Sequence, residues 1–314
     1  MKIPELRIAD LVAKVPVIQG GMAVRISMAP LAAAVAEEGG IGLIAGSGIS
    51  VDELRREIRE ARERTKGIIG VNIMYAAREF AQLVKAAFEE KIDLLVSGAG
   101  FSRDMFAWGK EANIPVVPIV STAKLAKLSE MLGAAAVIVE GTEAGGHLGT
   151  DRPMRAIVPE VKSAVKIPVI GAGGVIDGKD VVDVLKLGAD GVQMGTRFAL
   201  SEESSADKAW KEYLVQAEEE DMVIVNSPVG LPGRGIRNPF TEALGRDDDV
   251  RPTQCRACLK KCERNFCIID RLVAAQQGDI KEGLIFSGSK FTKIKEVLSV
   301  HKIFENIKTE ILKA

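Results

Sequence analysis

Val139-Glu140-Gly141-Thr142-Glu143-Ala144-Gly145-Gly146-His147-Leu148-Gly149 leads out of a short apolar run into a glycine-rich loop with two carboxylates. The loop also carries one of only two histidines in 314 residues. Glycine has no Cβ and tolerates positive φ, so such a loop lets backbone approach a ligand closely. A histidine there can hold or move a proton near neutral pH. The run before it, Ala136-Val137-Ile138-Val139, reads as a buried strand, and its pattern of apolar run, glycine-containing loop and amphipathic segment recurs along the chain. Similar runs start at Pro16, Ile41, Ile69, Asp93, Pro115, Ile167 and Gly191. Their spacing of about 20–30 residues is that of a βα unit. Continuous rather than alternating apolar character fits strands buried on both faces of a parallel sheet. Between them, the segment from Val51 to Arg64 and residues 179–187 have helical spacing. Asp177 or Gly178 is placed to cap the latter, and Gly188 to end it. Eight such units predict an α/β fold, a (β/α)8 barrel rather than an open doubly wound sheet.

Composition narrows the function classes. The chain is 47% hydrophobic with a net charge of −1, so it has material for a large core and no basic excess for nucleic acid or a membrane surface. No apolar run approaches the roughly 20 residues of a membrane span. The first residues lack a signal-peptide core, so a cytoplasmic location is expected. After residue 204 the rhythm changes. We expect residues 1–204 to form the barrel and residues 205–314 a smaller, mainly helical appended segment. Residues 201–220, 271–277, 280–285 and 293–312 read as largely helical. The stretch from Asn226 to Gly235 is too rich in glycine and proline for a regular element.

In a barrel, the loops after the strands share one face and build the active site. That face would collect Gln19-Gly20-Gly21-Met22-Ala23, Asn72, Ser97-Gly98-Ala99-Gly100, Ser121, the His147 loop, Gly171-Ala172-Gly173-Gly174 and Gly195-Thr196. Backbone N–H groups of Gly173, Gly174, Gly195 and Thr196, backed by a helix start at Asp177, would cradle a phosphate dianion. The glycine spacing does not match a dinucleotide-binding fingerprint.

These residues also carry a family resemblance. Gln19-Gly20-Gly21-Met22-Ala23, Gly70-Val71-Asn72-Ile73-Met74, the Glu140 to His147 loop, Ala172-Gly173-Gly174 and Gln193-Met194-Gly195-Thr196-Arg197-Phe198 occur in order. Together they resemble the nitronate monooxygenase family, whose superfamily includes the flavin-dependent enoyl-ACP reductases. The resemblance covers residues 10–205 and implies a barrel holding FMN non-covalently. It implies FMN contacts at Met22, Asn72, Glu140, Gly145, Gly173, Gly174, Gln193, Met194, Gly195 and Thr196, with Met22 beside the flavin ring. It further implies that His147 is the active-site histidine, as base or as the group that holds the substrate anion. The implied reaction is oxidation of an alkyl nitronate with O2; the alternative is NAD(P)H-dependent reduction of an enoyl thioester. Family members often have Gln where this chain has Glu140. Val24-Arg25-Ile26-Ser27 departs from the aromatic continuation of the reductases, and the resemblance is not expected to extend past residue 205. The partners implied are a small-molecule substrate and either O2 or NAD(P)H. Oligomeric state is left open, a homo-oligomer included.

All four cysteines, Cys255, Cys258, Cys262 and Cys267, fall within thirteen residues. Four thiolates this close suit tetrahedral zinc or a [4Fe–4S] cluster, and a flavin nearby would favour the cluster. The alternative is a set of unligated, reduced cysteines.

Overall fold

The structure is a computed structural model that describes residues 2–246 and 250–314; Asp247-Asp248-Asp249 therefore lies outside it. Thirteen strands occur among the described residues. The first two, β1 (Leu6–Ile8) and β2 (Leu11–Ala13), form an antiparallel hairpin. Then come β3 (Val17–Gln19), β4 (Ile41–Ala45), β5 (Ile68–Met74), β6 (Leu94–Gly98), β7 (Val116–Val120) and β8 (Val137–Glu140). After the two-residue β9 (Gly146–His147) follow β10 (Val169–Ala172), β11 (Gly191–Met194), β12 (Met222–Asn226) and β13 (Pro232–Ile236). Strands β3 to β8 with β10 and β11 close into a parallel eight-stranded barrel, and β8 pairs with β10 to complete the ring. All eight expected runs are strands of this barrel, displaced by at most two residues.

The ring of helices is α1 (Ala29–Glu37), α2 (Val51–Arg64), α3 (Phe80–Glu89), α4 (Asp104–Ala112), α5 (Ala123–Met131), α6 (Met154–Ala164) and α7 (Gly178–Lys186). Helix α2 starts where the Ser50 hydroxyl accepts from the Glu53 N–H, and it turns Leu54, Ile58 and Ala61 inward at one-turn spacing. The eighth helix, α8 (Thr196–Ala199), is a single turn. Helices α9 (Lys208–Gln216), α10 (Pro239–Gly245), α11 (Ile268–Gln276) and α12 (Val300–Lys313) follow. The last of these packs against both α7 and α1, in the slot that a full-length eighth barrel helix would occupy. Its buried face, Ile303, Phe304, Ile307 and Ile311, joins the core shared by β3, β8, β11 and α7. Each such fully buried side chain contributes about 1.5–3 kcal/mol.

Side chains alternate across each barrel strand. Ile18, Leu43, Val96, Ile138 and Ile170 point into the barrel and meet Leu6 and Ile8, so the β1–β2 hairpin stoppers its N-terminal end. Val17, Val137, Val139 and Val192 point outward to the helices. Close approach is bought with glycine in places: a Cβ on Gly42 would lie 1.9 Å from the Ala32 carbonyl oxygen of α1.

Several local expectations are corrected. Residues 201–220 hold only α9 and a short 3-10 turn; Asp207 caps α9, and the chain turns extended at Ala217. Residues 280–285 are not helical, and α12 begins at Val300 rather than near 293. The stretch 226–235, read as irregular, contains most of β13, because Gly233 and Gly235 allow tight packing on Phe286 and the Ile285 carbonyl. Strands β12, β13 and β9 form a separate three-stranded antiparallel sheet that lies at the barrel mouth.

Candidate active site

The period-two alternation decides which strand-end residues face the barrel mouth. In β8, Val139 points outward and Glu140 inward; in β11, Gln193 points inward between outward Val192 and Met194. Asn72 near the end of β5 faces in likewise, and its amide donates to the Gly21 carbonyl at 3.0 Å. A Cβ on Gly21 would lie 2.3 Å from Asn72 Cβ, so this contact requires glycine. Met22, Asn72, Glu140, Gly145, Gly173, Gly174, Gln193, Gly195 and Thr196 are thus gathered around two adjoining cavities. Met194 lines neither: it is fully buried on the outer face of its strand, and its carbonyl accepts from the Gly20 N–H. Its side chain therefore faces away from both cavities, as strand alternation dictates.

The smaller cavity, about 120 Å³, is lined by Gly173, Gly174, Gln193, Thr196, Gly288 and Lys290 among others. Gly173 (φ +105) and Gly174 (φ +68) bend the chain after β10 in conformations that favour glycine. Among the described residues, the N–H groups of Gly173, Gly174 and Thr196 have no acceptor. The Thr196 hydroxyl accepts from the Gly288 N–H at 3.0 Å, leaving its own proton to donate. Lys290 brings a cation and is tethered to Asp180 at 3.2 Å. Gln193 Oε1 is buried without a partner. The α7 start, expected to help here, is already satisfied: the Gly178 N–H donates to Glu310 and the Asp180 N–H to Asp177.

The larger cavity, about 250 Å³, is mostly apolar, with walls from Val24, Ile26, Ile119, Leu259, Ile269 and Phe286. No lysine or arginine among the described residues lines it. His147 borders it, paired through β9 to Gly233 of β13, with Nε2 2.7 Å from Ser227 Oγ and its ring edge-on to Phe286 at 5.3 Å. Burial pushes its imidazole down to about 4, so it is neutral at physiological pH. Glu140 has no side-chain hydrogen bond among the described residues, and burial pushes its carboxyl up to about 7. Gly145 is glycine for a packing reason: a Cβ there would lie 2.6 Å from the backbone of Ser287. His301, by contrast, sits exposed on α12 beside Glu38.

The cysteine segment crosses this mouth. Arg78 N–H donates to the Cys258 carbonyl, Lys260 N–H to Ala76, and Glu263 N–H to Pro228. Lys260 Nζ lies 3.5 Å from the centre of the Tyr75 ring. These bonds tie the run to the loop after β5 and to the turn between β12 and β13. Cys258 and Leu259 turn into the cavity, while Cys255 and Cys262 face solvent. Burial, with the neighbouring cysteines adding, pushes the Cys258 thiol up to about 11. Among the described residues no three or more His, Cys, Asp or Glu side chains come together as a set able to hold a metal ion. The expected four-thiolate centre thus finds no support among the described residues, where the segment forms a wall of the cavity.

Sequence reasoning missed Ser227, Trp210, Phe286, Gly288 and Lys290, all of which reach the site from residues after 205. The run Ser287-Gly288-Ser289-Lys290, small residues ending in a cation, is the signal that could have marked the second half of an anion cradle.

Known proteins match this architecture. The profile of the nitronate monooxygenase family fits residues 5–101 and 77–310. The chain belongs to the nitronate monooxygenase family. A probable nitronate monooxygenase of Staphylococcus saprophyticus is 29% identical over 94% of each chain. An octahydro-indene-carboxyl-CoA dehydrogenase of Mycobacterium tuberculosis is 35% identical over 73% of this chain and 65% of that protein. The structure of FabK from Thermotoga maritima superposes with a TM-score of 0.83 at 34% identity, covering 95% of this chain and 93% of that one. A nitroalkane oxidase from Streptomyces ansochromogenes, at 24% identity and TM-score 0.81, shares the fold. Membership in this family makes the protein an FMN-dependent oxidoreductase. It also corrects one expectation, since the likeness runs well past residue 205.

Proposed function

We propose that the protein oxidises alkyl nitronates, with O2 as the electron acceptor. The residues of the two cavities fit FMN. The phosphate would sit on the free N–H groups of Gly173, Gly174 and Thr196, with Lys290 supplying positive charge. Gln193, Asn72, Glu140, Gly145, Gly195 and Met22 would border the rest of the cofactor, Gln193 gaining the partner its buried oxygen lacks. Bound FMN supplies a two-electron acceptor that O2 can reoxidise.

What supports this reaction is a part-buried, neutral His147, its Nε2 2.7 Å from Ser227 Oγ, at a mostly apolar cavity that no lysine or arginine among the described residues lines. A group this hard to protonate is a poor base for a neutral carbon acid. It suits a substrate that arrives already deprotonated, which a nitronate does and its parent nitroalkane does not. The neutral imidazole orients that substrate beside the flavin, and the apolar walls exclude water and hold the alkyl chain. The test is oxygen uptake by the FMN-loaded protein. Uptake with alkyl nitronates and little with freshly dissolved parent nitroalkanes is expected; equal rates with both would overturn the assignment of His147.

A second reading is favoured by a different observation. A mostly apolar cavity of about 250 Å³ that no lysine or arginine among the described residues lines suits an acyl chain, and the likeness to FabK extends over nearly the whole chain. On that reading an enoyl thioester is reduced with electrons from NAD(P)H. NAD(P)H oxidation that depends on an enoyl thioester, without oxygen uptake on nitronates, would establish it in place of the first.

A further inference from the structure

We infer that Ser227 is a positioning residue that fixes the tautomer of His147, so that the imidazole presents an Nδ1–H donor to the substrate cavity. This rests on the reading that His147 faces substrate, and it sharpens the role of that residue from base to hydrogen-bond donor. Ser227 is 1% exposed and sits in the tight turn between β12 and β13. Its N–H donates to the Leu231 carbonyl, and its own carbonyl accepts from the Gly230 N–H, so its backbone is held on both sides. The hydroxyl oxygen receives the Val229 N–H at 3.4 Å. Among the described residues the one acceptor within reach of the hydroxyl proton is His147 Nε2, at 2.7 Å.

A buried hydroxyl that left its proton unpaired would cost about 1–3 kcal/mol. The arrangement that satisfies Ser227 therefore directs its proton at Nε2, which must then be the unprotonated nitrogen. Since the imidazole is neutral, its single proton resides on Nδ1. Nδ1 has no partner among the described residues, and it is not sealed away from the cavity that His147 lines. The ring cannot turn over freely to exchange the two nitrogens. Its backbone is paired to Gly233, the following N–H donates to the Pro232 carbonyl, and its ring packs against Phe286 at 5.3 Å with an interplanar angle of 73°. The resulting N–H is a neutral donor at a cavity that no lysine or arginine among the described residues lines. It is suited to a nitronate oxygen, whose charge is then met by a hydrogen bond rather than by an ion pair.

The chain's two histidines make the test direct. Ring-15N-labelled histidine is incorporated into the FMN-loaded protein carrying His301→Gln, which removes the exposed second signal, and long-range proton–nitrogen correlations are recorded. Expected is a bare Nε2 and a protonated Nδ1; a proton on Nε2 overturns the proposal. Ser227→Ala should abolish that preference, lower kcat about tenfold and leave FMN content unchanged, and Ser227→Thr should restore both the tautomer and most of kcat. A Ser227→Ala protein that keeps the wild-type tautomer also overturns it. The tautomer is read without substrate, so failure of the nitronate reaction and failure of this proposal are separate results.

Discussion

The two ends of the cleft are made by different kinds of structure. At the phosphate end, Gly173, Gly174 and Thr196 lie within two residues of β10 and β11, and their free N–H groups follow from how those strands end. At the other end, His147 depends on Ser227, 80 residues away, and on a three-stranded sheet in which β9 contributes just two residues. One end is local backbone, the other a long-range assembly of side chains. Damage to the first should appear as lost cofactor affinity, and damage to the second as lost turnover with the cofactor in place.

The largest effect is expected for His147→Ala. Removing a preorganised donor from a water-poor site costs about 100- to 1,000-fold in kcat, while FMN content should match the wild type. Measured kcat beside flavin stoichiometry checks this, and loss of FMN would show that the two ends are not separable. Next comes Gly174→Val. Its φ of +68 and a Cβ only 3.1 Å from Glu143 Cβ strain any β-branched side chain. Strain of about 1–3 kcal/mol corresponds to FMN binding about 5- to 150-fold weaker, with near-normal kcat at saturating FMN. Lys290→Ala should weaken FMN about tenfold, the scale of one charge-assisted hydrogen bond, and should flatten the dependence of binding on salt. Lys293 still holds Asp180 at 3.1 Å, so the fold should survive. Fluorescence titration with FMN at two salt concentrations reads both outcomes.

The smallest effect concerns pH. The Glu140 carboxyl is pushed up to about 7 from 4.5, so its contribution to stability is complete below about 4.5 and lost as pH rises through 7. His147 is pushed down to about 4 from 6.5, so its contribution is complete above about 6.5 and lost as pH falls through 4. From about pH 4.5 to 6.5 the two titrations oppose each other, so the melting temperature of the FMN-free protein should change little there. Glu140→Gln should expose the His147 limb as a melting temperature that rises from about pH 4.5 to 6.5; a profile as flat as the wild type's would show that the carboxyl is not the opposing group.

The contrast between the ends also explains what the sequence made legible. Barrel strands announce themselves through runs such as Val137-Ile138-Val139 that are buried on both faces, and the loops after them follow by position. The same alternation that places Glu140 and Gln193 inward turns the Met194 side chain outward, a distinction available from the sequence and not drawn from it. Ser227, Phe286 and Lys290 were hidden because their roles arise from pairing across long chain separations: β9 with β13, and residues 286–290 with the Gly145 loop. The cysteine spacing suggested a ligand set, yet backbone bonds to Ala76, Arg78 and Pro228 tie the run across the mouth. Spacing along the chain constrains convergence only where the local backbone is free to curl.

The central claim is electron transfer from a nitronate to FMN held in this cleft. It is tested most directly by mixing the FMN-loaded protein with an alkyl nitronate under anaerobic conditions and following flavin absorbance. The account predicts bleaching of the oxidised flavin band within the turnover time and its return when O2 is admitted. A flavin that stays oxidised with nitronate, but is bleached by NAD(P)H and restored by an enoyl thioester, would contradict it.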